Sequence, residues 1–365
     1  MKLSTDIFNR SASVENNGAN YGVEVANNSG SIVVCQGMGY ADTKALCLEL
    51  VRDELSKYKA TALVEAEKRN NELFEQIMLR VNKLQMTDAQ ALSEFQNPSM
   101  QYDYYEAQKA YIKAGTPELL SILSDILVKR INESTRTLLQ IALGESIQIA
   151  PKLIKSQMAT LALVFMLRYS FKKNINSYAS FSDYLREEVL PVYEDGVSEK
   201  ESEFQHLDFT GCSQTSVLQT ALPELIRLNY PGLFMKGFQK EEIPNSASGM
   251  NLLDVYPQLF ITSLGDDTKW QLSTMTESNL SDLMDRNNVV KADKQILTEL
   301  FKENQMSNKE VEDTVIKIVS EMKNVFDYWE RSNVSRLTLT SVGIIIGAQY
   351  YKQITNQEYN LSLWI

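Results

Sequence analysis

Apolar residues recur at steps of three or four through Val51, Leu55, Tyr58, Ala62, Ala66, Leu73, Ile77, Val81 and Leu84, with Arg69 interrupting the stripe. Tyr40 to Asn97 contains no Gly or Pro, so the pattern predicts one long helix that starts near Ala41, capped by Asp42 or Thr43. Roughly 45 residues at the α-helical rise give a rod of about 65 Å, more than one compact domain covers. Either later helices pack along such a rod or copies of it bundle together. Upstream, Tyr21-Gly-Val23-Glu-Val25 alternates, Asn27-Asn28-Ser29-Gly30 offers turn residues, and Ser31 to Cys35 is β-branched. That is a hairpin pattern, and the open edges of a lone hairpin favour pairing with another strand.

Asn97-Pro98 and Thr116-Pro117 each place a capping residue before a proline, which predicts helices over 98–113 and 117–131. Thr135 to Ala150 continues helically to Pro151, and Lys152 to Phe171 is strongly apolar. With short connections these segments predict an antiparallel bundle. Residues 176–265 are broken by Gly and Pro, with shorter helices expected over Ser180 to Leu190 and Ser216 to Leu228, the second kinked or restarted at Pro223. Helices resume over Ala292 to Asn304 and Ser307 to Glu330, where Ser307 and Glu310 fit a capping box. The segment from Leu337 to Gly347 reads as a strand turning into a short helix, with Gly343 and Gly347 on one face to admit a close neighbour. Leu361, Leu363 and Ile365 alternate with polar or amphipathic residues, which suits a terminal strand pairing with Arg336 to Leu339.

The fold class expected is mainly α: an N-terminal β-hairpin unit over 1–39, a long helix and bundle over 40–175, an irregular helical region over 176–290 and a small C-terminal α+β module over 291–365. The Leu-Thr-x-x-Gly segment at Leu339 to Gly343 resembles the strand-and-wing end of winged-helix modules. Such a module binds DNA or mediates contacts. The stretch Glu299 to Glu330 is acidic-leaning, which favours contacts.

The chain has 365 residues, 44% hydrophobic and 23% charged, and a formal net charge of −11, a mean field that repels nucleic acid and anionic membrane. Its longest apolar runs fall well short of the ~20 residues a membrane helix needs. Cys35, Cys47 and Cys212 make no CxxC pair or ligand spacing, and Met1 to Asp6 has no apolar leader core, so a cytoplasmic protein with reduced thiols is expected.

Catalytic and cofactor signals are sparse. The single histidine, His206, lies in a polar stretch and reads as structural. Gly37-Met38-Gly39 precedes a helix, but the third glycine of a dinucleotide fingerprint falls on Asp42, whose carboxylate opposes a phosphate there. Asp266-Asp267 and Asp282 with Asp285 lack calcium-loop spacing. No catalytic, cofactor or metal residue is therefore assigned. Glu145, in an apolar helix, would need a partner if it faced the core, with Arg130, Arg136, Lys152 and Arg168 available.

The middle block and tail resemble an uncharacterised family of bacterial, mainly helical cytoplasmic proteins. The residues that carry the resemblance are Ala107 to Tyr111, Leu119 to Arg130, Leu143 to Ile147, Ala150 to Leu153, Tyr230 to Phe234, Lys236 to Phe238, Leu339 to Gly343 and Leu361 to Ile365. The resemblance implies no activity and no site residue; the kind of protein suggests a defence or stress role, such as defence against phage. The leading expectation is a non-enzymatic scaffold or adaptor that self-assembles through its N-terminal strands and long helix, with Val23, Val25, Ile32, Val34, Leu55 and Tyr58 at the interface and room for a further protein partner. The alternatives are an effector or enzyme using acidic residues, and a DNA-binding regulator acting through the C-terminal module.

Overall fold

The computed structural model describes residues 60–83, 93–133, 135–274 and 276–365, with positions 41, 44, 45, 48, 49, 51 and 52. The expected hairpin, Gly37 to Gly39, and the interface residues Val23, Val25, Ile32, Val34, Leu55 and Tyr58 lie outside the described residues. The chain is mainly helical, with two small two-stranded sheets among the described residues. It divides into two compact units, Met1–Ile154 with Tyr359–Ile365, and Lys155–Glu358.

The first unit contains α1 (Ala60–Lys83), α2 (Pro98–Ala114), α3 (Pro117–Asn132) and α4 (Leu138–Ile149). The stripe read along α1 is a core face: Ala66, Leu73, Ile77 and Val81 are buried, joined by Phe74 and Met78. This part of the rod is covered by later helices, since α2 and α3 pack along it. Arg69, which breaks the stripe, has a task of its own. Its Nη1 donates to the Ile112 carbonyl at 2.7 Å, satisfying one of the unpaired carbonyls at the end of α2. Gly115 closes that helix in the left-handed region, at φ 65°, and a Cβ there would lie 2.3 Å from the Arg69 guanidinium carbon. At the other end of α2, the Asn97 side chain accepts from Ser99 N, with Pro98 in the first turn.

The second unit is built around α15 (Ser341–Thr355), an almost wholly buried helix that packs most extensively on α5 (Lys155–Val164). That pairing takes α5 into the second unit, although its sequence runs on from the bundle expected over 40–175. Gly343 and Gly347 make the close approach possible. A Cβ at Gly343 would sit 2.0 Å from the Cys212 carbonyl oxygen, and one at Gly347 would sit 2.6 Å from the Leu161 carbonyl oxygen. The helix itself runs for 15 residues, longer than the short one expected. Preceding it, β4 (Leu337–Leu339) pairs antiparallel with β1 (Ser213–Thr215).

This corrects the expected terminal strand. Leu361–Leu363 forms a single 3₁₀ turn capped by Asn360, with Leu363 73% exposed, while the partner of β4 comes from 213–215. The alternation in Leu361 to Ile365 was too short to override the turn that Asn360 starts. Likewise the helix expected from Ser216 begins only at Leu222, giving α9 (Leu222–Asn229) with Pro223 in its first turn. The residues before it hold the sheet instead: Ser216 N donates to the Arg336 carbonyl and Thr220 N to the Ser335 carbonyl.

Two helices of this unit contain π-helical turns. One follows α5 at Phe165–Tyr169; the other, Leu185–Val189, joins α6 (Tyr178–Tyr184) to α7 (Leu190–Glu194). After α7 comes α8 (Glu201–Phe209), which leads into β1. The segment between Met235 and Phe301 has its own apolar cluster, including Phe238, Leu259, Phe260, Leu272 and Leu297. It carries α10 (Leu252–Val255), the hairpin of β2 (Phe260–Thr262) and β3 (Trp270–Leu272), α11 (Glu277–Arg286) and α12 (Lys291–Glu303). The capping box predicted at Ser307 and Glu310 opens α13 (Asn308–Ile318); extended Val319 then breaks the helix before α14 (Met322–Arg331).

Candidate functional site

Glu145 lies exposed on α4, and neither a hydrogen bond nor an ion pair joins it to Arg130, Arg136, Lys152 or Arg168. The core position that would have required a partner is not taken: Ala142, Leu143, Ser146 and Ile147 bury their side of α4 and turn Glu145 outward. Two of its candidate partners, Arg130 and Arg168, are used elsewhere. Arg130, 1% exposed, donates to Asp103 at 2.8 Å, to Ser99 Oγ at 2.8 Å and to the Glu133 carbonyl at 3.0 Å. Gly144, one residue before Glu145, leaves room for this pair, since a Cβ there would lie 3.2 Å from Asp103 Oδ1. Burial pushes the Asp103 carboxyl above the ordinary range, outweighing the pull of Arg130.

Asp266 folds back on its own turn, accepting from Thr268 N at 3.0 Å and Thr268 Oγ1 at 2.6 Å, and these bonds hold its carboxyl below the usual range. Asp267, Asp282 and Asp285 are exposed, Asp285 paired with Lys294. His206 is half-buried, with Nδ1 3.0 Å from the Gln157 amide nitrogen and its ring stacked on Phe209. Asp266, Asp267, Asp282 and Asp285 are not arranged as a group of three or more that could hold a metal ion.

One polar arrangement in the second unit was not singled out from the sequence. Consecutive, fully buried Tyr350 and Tyr351 on α15 donate their hydroxyls to Asp195 and Glu188 respectively. Each carboxylate also binds a lysine: Lys155 Nζ lies 2.6 Å from Asp195, and Lys172 Nζ lies 2.9 Å from Glu188. Lys172 also sits 5.8 Å from the Tyr351 ring centre. Glu188 belongs to the second π-helical turn, and π turns recur at functional positions. A carboxylate that accepts from both a phenol and an ammonium fixes the phenol as donor. Ionising that phenol would set two negative charges side by side. The arrangement thus suits bracing of three chain segments rather than proton abstraction. The available signal was the Tyr350-Tyr351 pair inside an apolar helix, since buried phenols take partners.

A buried carboxylate, Asp293, accepts from Ala247 N at 2.7 Å and the Tyr256 hydroxyl at 2.9 Å, pinning the loop before α10. Among the described residues, no group of three or more His, Cys, Asp and Glu side chains is arranged to hold a metal ion, and no helix is long and apolar enough to cross a membrane.

Exposed apolar side chains bracket β1. Phe209 at the end of α8 is 87% exposed, and Val217 and Leu218 just after the strand are 94% and 78% exposed.

A family model whose description reads only ":-like" matches residues 37–365. The chain belongs to this uncharacterised family. No curated protein and no solved structure matches the chain.

Proposed function

We propose that the protein is a non-enzymatic helical scaffold or adaptor that works through protein contacts, including contacts with copies of itself. The observation that carries this reading is the group of nearly bare apolar residues, Phe209, Val217 and Leu218, around β1. Single exposed apolar residues need no explanation, but three within ten residues of chain, flanking a fixed sheet, suit a contact surface. The strand pattern in the sequence over 21–35 and the helical stripe that follows it support self-assembly as the mode of action. A bacterial cytoplasmic setting and a defence or stress role fit the family resemblance.

Light scattering on the size-exclusion peak tests the reading. A mass above the 41.5 kDa of one chain is expected, falling when residues 1–39 are deleted or when Val217→Asp and Leu218→Asp are combined. A strict monomer across micromolar concentrations would sink self-assembly. An assembly indifferent to both changes would remove these surfaces from it.

A further inference from the structure

A two-stranded sheet has two open edges, each a row of unpaired backbone groups to which another strand can add. In the β1–β4 sheet, Leu337 stands opposite Thr215 and Leu339 opposite Ser213, while the neighbouring bonds run from Thr340 N to the Cys212 carbonyl and from Ser216 N to the Arg336 carbonyl. By strand alternation the backbone groups of Leu337 and Leu339 therefore point away from β1. The Leu337 carbonyl and the Leu339 amide are occupied by side chains from the first π-helical turn, and the Leu337 amide by the Val334 carbonyl of its own 3₁₀ turn. Arg168 Nη1 donates to the Leu337 carbonyl at 2.8 Å, and Tyr169 Oη accepts from Leu339 N at 2.7 Å. An added strand would offer this same donor to residue 337 and this same acceptor to residue 339. On the opposite edge, Asp208 performs a similar task, accepting from Thr215 N at 3.2 Å and from Ser213 Oγ at 2.6 Å.

The placement of Arg168 and Tyr169 is specific. They are the last two residues of the π-helical turn, and Ser170 is already extended. Arg168 is held from a second side by Thr220 Oγ1, 3.2 Å from its Nη2, so its guanidinium bridges β4 and the segment before α9. We infer that Arg168 and Tyr169 stand in for a third strand and close the β4 edge against addition of a strand from a second copy of the chain. The device directs assembly away from this edge. It holds whether or not the native protein self-assembles through other surfaces.

The test compares the full-length chain with an Arg168→Met, Tyr169→Phe double variant, which keeps side-chain bulk and removes both edge contacts. Tyr178→Phe serves as a control, because it deletes the bond from another half-buried phenol, to the Leu233 carbonyl, away from the edge. At equal concentration the weight-average mass of the double variant should roughly double relative to the native chain, and the control should match the native chain. Amide exchange at Leu339 should quicken in the double variant only when it is dilute enough to remain unpaired. Should the double variant not fold, Tyr169→Phe alone carries the same comparison. Lowered melting temperatures in double variant and control alike, with native mass throughout, would overturn the inference and leave the pair as ordinary partners of buried backbone.

Discussion

The two compact units bury charge in opposite ways. In the first, Arg130 meets Asp103 and Ser99 from the helix just before its own, at separations of 27 and 31 residues. In the second, Tyr351 reaches Glu188 across 163 residues, and Arg168 reaches Leu337 across 169. The helices α1–α4 of the first unit come from one stretch of chain and their polar bonds join helices close in sequence, although Tyr359–Ile365 also belongs to this unit. The second closes only when its two chain ends meet, with α5 against α15. Contacts of such separation carry a larger loop-closure cost and form late, so the second unit depends on a few close-approach positions.

Arg130→Met gives the largest expected effect and probes the local side of this contrast. Removing one partner of a buried pair should cost about 3–5 kcal/mol, read as a lower denaturation midpoint, with loss of exchange protection confined to α2–α4. A neutral outcome would mean the pair organises nothing. Acid adds a check on sign. Asp103, raised above 3.8 in the fold, takes up a proton before the unfolded chain does. Its contribution therefore favours the folded state increasingly as pH falls from that raised value to 3.8, and this trend should vanish in Asp103→Asn.

Gly343→Ala comes next, and it strikes the long-range side. With the Cys212 carbonyl 2.0 Å from the new Cβ, α15 must shift from β1, at a cost of about 1–3 kcal/mol. Exchange protection should fall in α5 and α15 while α1–α4 keep theirs. Equal loss in both units would break the comparison.

The smallest effect tests a local feature inside the second unit. Ser307→Ala removes the cap of α13 and should cost about 1 kcal/mol. Bonds from Ser307 N and Oγ hold the Glu310 carboxyl below the ordinary range. A lowered carboxylate stabilises the fold above its unfolded value and loses that contribution as pH falls through its folded value. In the native chain the cap's contribution should therefore be full above 4.5 and be lost as pH falls from there through the lower folded value. Ser307→Ala should flatten that acid limb, measured by thermal melts from pH 7 to pH 3. An unchanged limb would assign the acid response elsewhere.

Sequence periodicity and capping chemistry determined several helix faces and helix starts in both units. The buried face of α1, the Asn97-Pro98 start of α2 and the Ser307-Glu310 box of α13 rest on bonds within a few residues or on a repeat of 3.6, so they are written locally. The need for close approach at Gly343 and Gly347 was legible too, though not the neighbours. Tertiary structure decided the rest. Arg69 looked like a flaw in a stripe and is the cap of a helix 43 residues away. Glu145, which would have needed a partner in the core, is exposed, because the phase of α4 is set by which side meets α2 and α3. The partner of β4, the Tyr350 and Tyr351 braces and the edge cover by Arg168 and Tyr169 join residues more than a hundred positions apart. No local pattern encodes such a meeting; it exists only once the core between its partners has packed.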